Sequence, residues 1–338
     1  MKGNDWLTEM GSGKAVRFLP VYYYPELKSA GFTAEETLKE GGAGKMAAVM
    51  KAACERYPEI GAAMTALDVT VDPEAFGCEV MYDRDAAPHV VSAVVDRKGN
   101  GLETLFVPDS HAGRQDLHYE AVRAFKELMP DKPVFGNLLG PFTMAASVML
   151  LKDAMICVMK KQEIMRQVVT KCTAFIKARA KAYKEAGADG LFLDEACGGI
   201  IPPPLSAEFS AAFIKEIVDE VQTPDFPVMY HNCGNIRDMK DSIFSTGCRI
   251  YSFGNMIDLE PMLREAPAGC LITGNLDPTK LEKDAPDEIY AETLAMLEKY
   301  GSYPGYVFSP GCDCPPGTKA ENLEAMLRAL RDYNDSRS

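Results

Sequence analysis

Three residues with soft, metal-binding side chains stand at the ends of two predicted β-strands. His231 and Cys233 are separated by one residue, so on a strand their side chains point to the same face. Cys312 follows the last predicted strand. One imidazole and two thiolates favour zinc over magnesium or calcium. Three protein ligands leave the fourth tetrahedral position open for water or substrate, which is typical of catalytic zinc.

Other interpretations of the same residues stay open at this point. His231 could be a hydrogen-bonded core histidine, and Cys233 a buried apolar residue. Cys312 and Cys314 form a C-x-C pair that could be a redox pair or two ligands of a structural site.

Further polar residues follow the neighbouring predicted strands. Asp194 and Glu195 end the fourth strand, Asn255 follows the sixth and Asn275 the seventh. We expect Asp194 or Glu195 to be either a fourth zinc ligand that substrate displaces or a hydrogen-bonding partner of His231. Asn255 and Asn275 are candidates to hold polar groups of a substrate.

Eight short apolar runs, most followed by an amphipathic segment, must position these residues. The runs span residues 18–23, 63–71, 133–139, 190–194, 227–231, 249–254, 270–274 and 305–309. Strands alternating with helices in this way predict an α/β protein with a (β/α)8 TIM barrel, and a doubly wound open sheet is the alternative. Active sites of such barrels lie at the carboxyl ends of the strands. The polar residues above are therefore expected to meet at one end of the barrel.

Local signals predict the elements around the strands. A T-x-x-E capping-box pattern occurs at residues 33–36 and again at 318–321, and Gly187 suits the end of a long helix over 164–186. Residues 74–106, with a turn at 96–100, resemble an inserted hairpin. We expect one barrel domain over residues 1–338 with an N-terminal helical and hairpin elaboration.

The overall composition limits the possible partners and location. The 338 residues include 36 basic and 49 acidic side chains, a formal net charge of −13, which disfavours a nucleic-acid partner. The start of the chain lacks the pattern of a secretory signal, and the longest apolar run, residues 142–151, is about half of a membrane span. We expect a cytoplasmic protein without a membrane partner, whose ten cysteines are reduced thiols or metal ligands.

Several motifs together resemble the uroporphyrinogen decarboxylase superfamily and, within it, the branch of cobalamin-dependent methyltransferases that act on coenzyme M. The motifs are G-P-F-T-M-A at 140–145, H-N-C-G at 231–234, S-P-G-C-D-C-P-P-G-T at 309–318, E-N-L at 321–323, L-D at 67–68 and E-A-F-G at 74–77. The resemblance implies a (β/α)8 barrel that binds zinc through an H-x-C…C pattern. Those ligands carry over onto His231, Cys233 and Cys312. Cys314 stands where most relatives are expected to have another residue, so its role is open.

The resemblance also implies a reaction and its participants. A methyl group would move from a methylated corrinoid (a methylcobamide), held by a small carrier protein, to a small thiol such as coenzyme M or homocysteine. The corrinoid is large, so we expect a wide barrel mouth with apolar walls. Candidates for those walls are Phe142, Met144, Phe253 and Met256.

Two alternative functions are kept. A decarboxylase of the same superfamily must hold several porphyrinogen carboxylates, yet residues 18–27, which match its arginine-rich segment, contain no arginine, and Arg17 alone cannot hold them all. A non-catalytic protein that binds zinc or a corrinoid is the other alternative. No motif identifies the thiol.

Overall fold

The computed structural model describes residues 3–82 and 87–337. Its strands are β1 Arg17–Phe18, β2 Ala63–Met64, β3 Val80–Met81, β4 His89–Val90, β5 Val134–Leu139, β6 Gly190–Asp194, β7 Val228–Asn232, β8 Ile250–Phe253, β9 Leu271–Leu276 and β10 Tyr306–Pro310. Eight of them are parallel and form one sheet in the order β1, β10, β9, β8, β7, β6, β5, β2. Each of the eight overlaps one apolar run of the sequence, although β1 and β2 are much shorter than their runs.

Helices fill most of the connections between these strands. They are α1 Gly3–Met10, α2 Tyr24–Ala30, α3 Ala34–Leu38, α4 Ala43–Arg56, α5 Val71–Ala75, α6 Gln115–Leu128, α7 Pro141–Val148, α8 Leu151–Lys160, α9 Gln162–Glu185, α10 Pro203–Ser206, α11 Ala212–Val221, α12 Lys240–Ser245, α13 Glu260–Glu265, α14 Lys280–Lys283, α15 Pro286–Tyr300 and α16 Ala320–Asp335. A short 3-10 helix, Ala196–Ile200, and a π-helical turn, Ala207–Ala211, flank α10.

The two edge strands of the sheet meet and close it. Phe18 of β1 forms a parallel bridge with Ile60, just before β2, and the Gly61 N–H donates to the Phe18 carbonyl at 2.8 Å. The fold is therefore the predicted (β/α)8 barrel and not the doubly wound open sheet.

Alternation along the strands divides the barrel interior into an apolar and a polar layer. Phe192, Met229 and Ile250 belong to a buried apolar cluster inside the barrel. Two residues further along the same strands, Asp194 and His231 are paired in register. Because side chains repeat every second residue, the polar layer must lie at the carboxyl ends of the strands.

Helix α1 covers the opposite end of the barrel. Its Trp6 is buried, lies 5.5 Å from the Phe135 ring, centroid to centroid, and donates its indole N–H to the Gly61 carbonyl at 3.2 Å. The polar layer is therefore accessible only from the end that carries the longer loops.

The local predictions differ in their outcome. The capping box at 33–36 is confirmed: Thr33 accepts from the Glu36 N–H and Glu36 accepts from the Thr33 N–H. The one at 318–321 is wrong, because α16 begins after Lys319 and the Thr318 hydroxyl has no hydrogen-bonding partner.

The inserted hairpin is present, but its position differs from the prediction. Its antiparallel strands are β3 and β4, whereas residues 96–100 form a turn without strands, in which the Asp96 carboxylate accepts from the Lys98 and Asn100 N–H groups.

Among the described residues, no single helix has both the length and the apolarity to cross a membrane. One pair bent by 115°, α7 with α8, meets the two criteria only when both helices are taken together.

Candidate metal centre

The strand register brings His231 and its neighbours into one polar layer. His231 on β7 pairs with Asp194 on β6 and with Ser252 on β8. His231 is 1 % exposed, and its ring stacks on Phe192 at a centroid distance of 5.2 Å. The Nδ1 atom lies 2.9 Å from the Ser252 hydroxyl oxygen. This contact leaves Nε2 as the nitrogen that can bind a metal ion.

The two cysteines lie beside the histidine. One ligand atom from each of His231, Cys233 and Cys312 lies within 4.8 Å of the other two. A tetrahedral zinc ion, with Zn–S bonds of about 2.3 Å and Zn–N bonds of about 2.0 Å, separates its ligand atoms by about 3.5–3.8 Å. The residues therefore fit a zinc ion in both donor type and spacing.

The two thiols act strongly on each other. Hydrogen bonds from Cys312 and His231 lower the pKa of the Cys233 thiol. The same contact with Cys233, together with burial, raises the pKa of the Cys312 thiol. Two sulfur atoms this close share one proton, and a dication is the species that would let both be thiolates.

Two glycines permit the strand ends to come this close. A Cβ atom at Gly254 would lie 2.5 Å from the Cys233 Cα and 2.6 Å from the Cys233 carbonyl oxygen. A Cβ atom at Gly311 would lie 2.8 Å from the Asn255 nitrogen. A side chain at Gly254 would push the loop after β8 away from Cys233, and one at Gly311 would push it away from the loop that carries Cys312.

Asn232 holds the backbone on either side of Cys233. It is fully buried, donates Nδ2–H to the Glu195 carbonyl at 2.7 Å, and accepts the Gly234 N–H at 2.9 Å. Its neighbours His231 and Cys233 both face the interior, because Asn232 occupies the alternate position of the strand.

Cys314, the other cysteine of the C-x-C pair, lies outside the cluster, as do Cys197 and Cys248. Cys314 is 1 % exposed within the hydrophobic core, and its N–H donates to the Val21 carbonyl at 3.2 Å. Burial raises the pKa of Cys197 and of Cys248 to about 12 each, so both remain protonated thiols at neutral pH.

Asp194 and Glu195 point in opposite directions, and only Asp194 faces the centre. Burial raises the pKa of the Asp194 carboxyl, which interacts with His231 and Cys233. Glu195 instead accepts the N–H groups of Phe142 and Thr143 at 3.1 and 3.0 Å and so caps helix α7. The Glu195 carboxylate is thus bound by the start of α7 and does not face the centre. Neither residue is the partner of the His231 Nδ1 atom, which is Ser252.

The two asparagines line a cavity of about 300 Å³ that is also lined by Asp277, Lys280 and Glu292 and by none of the three candidate ligands. Asn255 is exposed, whereas Asn275 is 7 % exposed. Asn275 donates Nδ2–H to the carbonyls of Gly254 and Ile257, both at 2.9 Å. The Asn275 donors are thus occupied, and its carbonyl oxygen is the group left for a ligand.

Three of the four predicted corrinoid contacts lie in the core. Phe142, Met144 and Phe253 are 0 % exposed, and Met256 is 59 % exposed. Phe142 and Met144 belong to α7, which packs against α8 and α9, and Phe253 belongs to β8. Phe142, Met144 and Phe253 therefore have no exposed side-chain surface with which to line the mouth of the barrel, whereas Met256 has one.

Two residues beside the cluster were not expected. Ser252 is a polar residue inside an otherwise apolar strand, and this contrast in the sequence could have identified it. Asp313, between the two cysteines, has a buried Oδ1 atom without a hydrogen-bonding partner, and burial raises its pKa to about 8. The position of Asp313 within the C-x-C motif did not indicate where its carboxyl group points.

Comparison with protein families gives one match over nearly the whole chain. The family described as uroporphyrinogen decarboxylase (URO-D) matches residues 3–333. The chain is 27 % identical over 271 residues, 79 % of its length and 78 % of the relative's, to "Methylcobamide:CoM methyltransferase MtbA" of Methanosarcina acetivorans. It is also 27 % identical over 334 residues, 91 % and 90 % of the two lengths, to the "Uroporphyrinogen decarboxylase" of Xylella fastidiosa.

Solved structures share the fold. The "methyltransferase from Methanosarcina mazei" superposes with a TM-score of 0.86 at 23 % identity, covering 97 % of this chain and 98 % of that one. A B12-independent methionine synthase from Shewanella sp. W3-18-1 gives a TM-score of 0.59 at 14 % identity, covering 95 % and 96 %. At these identities the likeness concerns the barrel alone.

Proposed function

The chain belongs to the uroporphyrinogen decarboxylase family, and we propose that within this family it is a zinc-dependent methyltransferase. It would move a methyl group from a methylated corrinoid, held by a small carrier protein, to a thiol such as coenzyme M or homocysteine. The observation that carries the proposal is the cluster of one imidazole and two thiols with a spacing that suits zinc. The relationship to a methylcobamide:CoM methyltransferase supports it.

In this proposal His231, Cys233 and Cys312 would hold the zinc ion, and the ion would supply an electron-rich thiolate from the acceptor thiol at neutral pH. Ser252 orients the imidazole, and Gly254 lets the loop after β8 lie against the Cys233 backbone. The new sulfur–carbon bond forms as the carbon–cobalt bond breaks, its electron pair remains on cobalt, and the thiol proton leaves to solvent. The free thiols of the chain suit the reducing cytoplasm, where we place the reaction.

The decarboxylase alternative lacks the cations that its substrate requires. Arg17 pairs with Glu9 at 2.9 Å, and no arginine occurs at 18–27. Arg114 is already paired with both Asp68 and Glu74, at 2.6 Å each. Arg114, which is held by the buried Asp68 and by Glu74, does not also bind several substrate carboxylates.

Metal analysis tests the centre directly. The purified protein is expected to contain about one zinc ion per chain, and Cys233→Ala and Cys312→Ala are expected to lose most of it. Cys248→Ala is the control, because that thiol is buried outside the cluster. Full zinc content in both cluster variants would disprove the assignment.

The reaction is tested anaerobically with methylcobalamin and with corrinoid carrier proteins as donors. We expect thiol-dependent demethylation, followed by cobalamin absorbance and product mass, that disappears in Cys233→Ala. Loss of CO2 from uroporphyrinogen, with no methyl transfer to any thiol from any donor, would establish the decarboxylase instead. Zinc binding without either activity would indicate a binding protein.

A further inference from the structure

A cavity of about 680 Å³ lies at the amino end of the barrel, where α1 meets the segments that precede β8, β9 and β10. Leu7 of α1, Leu263 of α13 and Pro304 before β10 are in its walls. The candidate zinc ligands follow the opposite ends of the strands and do not line it. A cavity of this size is typical of sites that bind small organic molecules.

Apolar side chains form much of the cavity wall. Leu7 and Leu271 belong to the apolar cluster inside the barrel, and Leu263 is buried on α13. Pro267 and Pro304 contribute apolar atoms on the exposed side of the cavity. A ligand with an apolar body would remove these atoms from water and be stabilised by their burial.

The charged side chains that line the cavity are both arginines. Among the described residues of its walls, Arg249 and Arg264 carry a charge, and none is an aspartate or a glutamate. The chain as a whole has the opposite balance, with 49 acidic and 36 basic residues. The cavity is therefore a local positive site on an acidic protein, and this charge favours an anionic ligand.

Arg249 is the arginine of the two that can bind an anion. Its carbonyl accepts the Leu271 N–H at 2.9 Å, which fixes its backbone at the start of β8. Its half-buried side chain forms no ion pair or hydrogen bond with any residue that the structure describes. Arg264 instead pairs with Glu260 at 2.6 Å and donates to the Tyr303 hydroxyl at 3.2 Å. An unpaired guanidinium group can hold a carboxylate or a phosphate through two parallel hydrogen bonds.

We propose that this cavity binds a small organic anion. Its oxyanion head group, a carboxylate or a phosphate monoester, pairs with Arg249, and its apolar body lies against Leu7, Leu263 and Leu271. The proposal does not depend on the proposed function, because the cavity and the candidate metal centre lie at opposite ends of the barrel. It adds a binding site at the end of the barrel that α1 covers.

Four compounds with the same eight-carbon chain test the proposal by isothermal titration calorimetry on the purified protein. Octanoate and octyl phosphate carry an anionic group, octan-1-ol a neutral group and octylammonium a cationic group. The tighter of the two anions identifies the head group, and its Kd should be lower than that of octan-1-ol by about tenfold, because a charged pair replaces a neutral hydrogen bond. Octylammonium and acetate should bind more weakly than octanoate, since one has the wrong charge and the other lacks the apolar body.

Matched variants locate the binding site. Arg249→Gln should raise the Kd of the preferred anion to about that of octan-1-ol, whose own Kd should not change. Arg249→Lys keeps the charge without the planar fork, so it should give an intermediate Kd, and it replaces Arg249→Gln if that variant does not fold. Arg123→Gln removes an exposed arginine of α6, outside the cavity, and should bind the anion as the wild type does.

The remaining outcomes separate this cavity from the metal centre. Cys233→Ala should keep the affinity for the anion, because Cys233 does not line the cavity. Binding that is lost in Cys233→Ala and kept in Arg249→Gln would place the anion at the metal centre and overturn the proposal. Equal affinity for octan-1-ol and for both anions would overturn it as well, as would an anion affinity that no change of Arg249 alters. Methyl transfer has no part in these measurements, so the proposed function is tested separately.

Discussion

At the residue scale, His231 can bind a metal ion well only if its ring is held in one orientation. The 2.9 Å contact between Nδ1 and the Ser252 hydroxyl provides that restraint, and stacking on Phe192 limits rotation of the ring. A partner of this kind fixes which ring nitrogen faces the metal ion and raises the affinity of the site. Ser252 is therefore assigned a positioning role.

Ser252→Ala should weaken zinc binding by about 10- to 100-fold while the protein stays folded, because only the partner of Nδ1 is lost. Competition with a chromophoric chelator measures the affinity. Ser245→Ala, on an exposed position of α12, is the control and should bind zinc as the wild type does. An unchanged affinity in Ser252→Ala would show that the hydroxyl does not orient the ring.

The two cysteines of the C-x-C motif should respond differently to the same substitution. Cys314→Ser should keep about one zinc ion per chain but lose about 1–3 kcal/mol of unfolding free energy, because a hydroxyl replaces a thiol in the core. Cys312→Ser should lose most of the zinc with a smaller cost in stability. Metal analysis and urea unfolding of both variants measure this, and the reverse pattern would mean that Cys314 is the ligand.

At the scale of elements, the site depends on how closely the ends of the strands approach. The loops after β7, β8 and β10 carry Cys233, Gly254 and Cys312, and the missing side chain of Gly254 leaves room for the Cys233 backbone. Glu195 acts at the same scale: by capping α7 it connects the loop after β6 to the helix after β5 through hydrogen bonds. The close approach at Gly254 and the cap of α7 both fix the backbone that positions the candidate ligands.

Gly254→Ala should reduce zinc occupancy and destabilise the protein by about 1–3 kcal/mol, since its Cβ would lie 2.5 Å from the Cys233 Cα. Metal analysis and urea unfolding measure the two effects. Gly44→Ala is the matched control: it lies in helix α4 with open space around the new Cβ, and should stabilise by up to about 1 kcal/mol. Equal zinc content and stability in Gly254→Ala and wild type would contradict the close-approach argument.

At the scale of the whole molecule, the barrel has one end closed by packing and the other equipped for chemistry. Helix α1 covers the amino ends of the strands, and Trp6 contacts the apolar layer inside the barrel. The polar layer above it contains the candidate ligands and Asp194. Stability and chemistry are therefore assigned to opposite ends, as is general for this fold.

Trp6→Ala should cost about 3–5 kcal/mol of unfolding free energy, because a buried indole is removed from the barrel end. Trp6→Phe should cost less, about 1–2 kcal/mol, since it keeps a ring but loses the hydrogen bond to Gly61. Urea unfolding measures both, and the folded variants should retain zinc. A loss below about 1 kcal/mol in Trp6→Ala would mean that α1 does not close the barrel.

The sequence by itself determined the features that depend on local spacing. Near-continuous apolar runs of strand length predicted all eight barrel strands, because strands buried on both faces are apolar throughout. The single residue between His231 and Cys233 placed both on one face, because side chains repeat every second residue along a strand. The Thr33 capping box could be predicted for the same reason, because Thr33 and Glu36 lie within one helical turn of each other.

Only the tertiary structure decided the features that depend on register between distant segments. Whether Asp194 or Glu195 faces the interior, and whether Cys312 or Cys314 lies with His231 and Cys233, follows from how β6, β7 and β10 align with their neighbours. The partnership of His231 with Ser252 and the burial of Phe142 likewise arise between segments far apart in the chain. A one-residue shift of register reverses the face of every side chain, and the energy that fixes the register comes from the packed barrel as a whole.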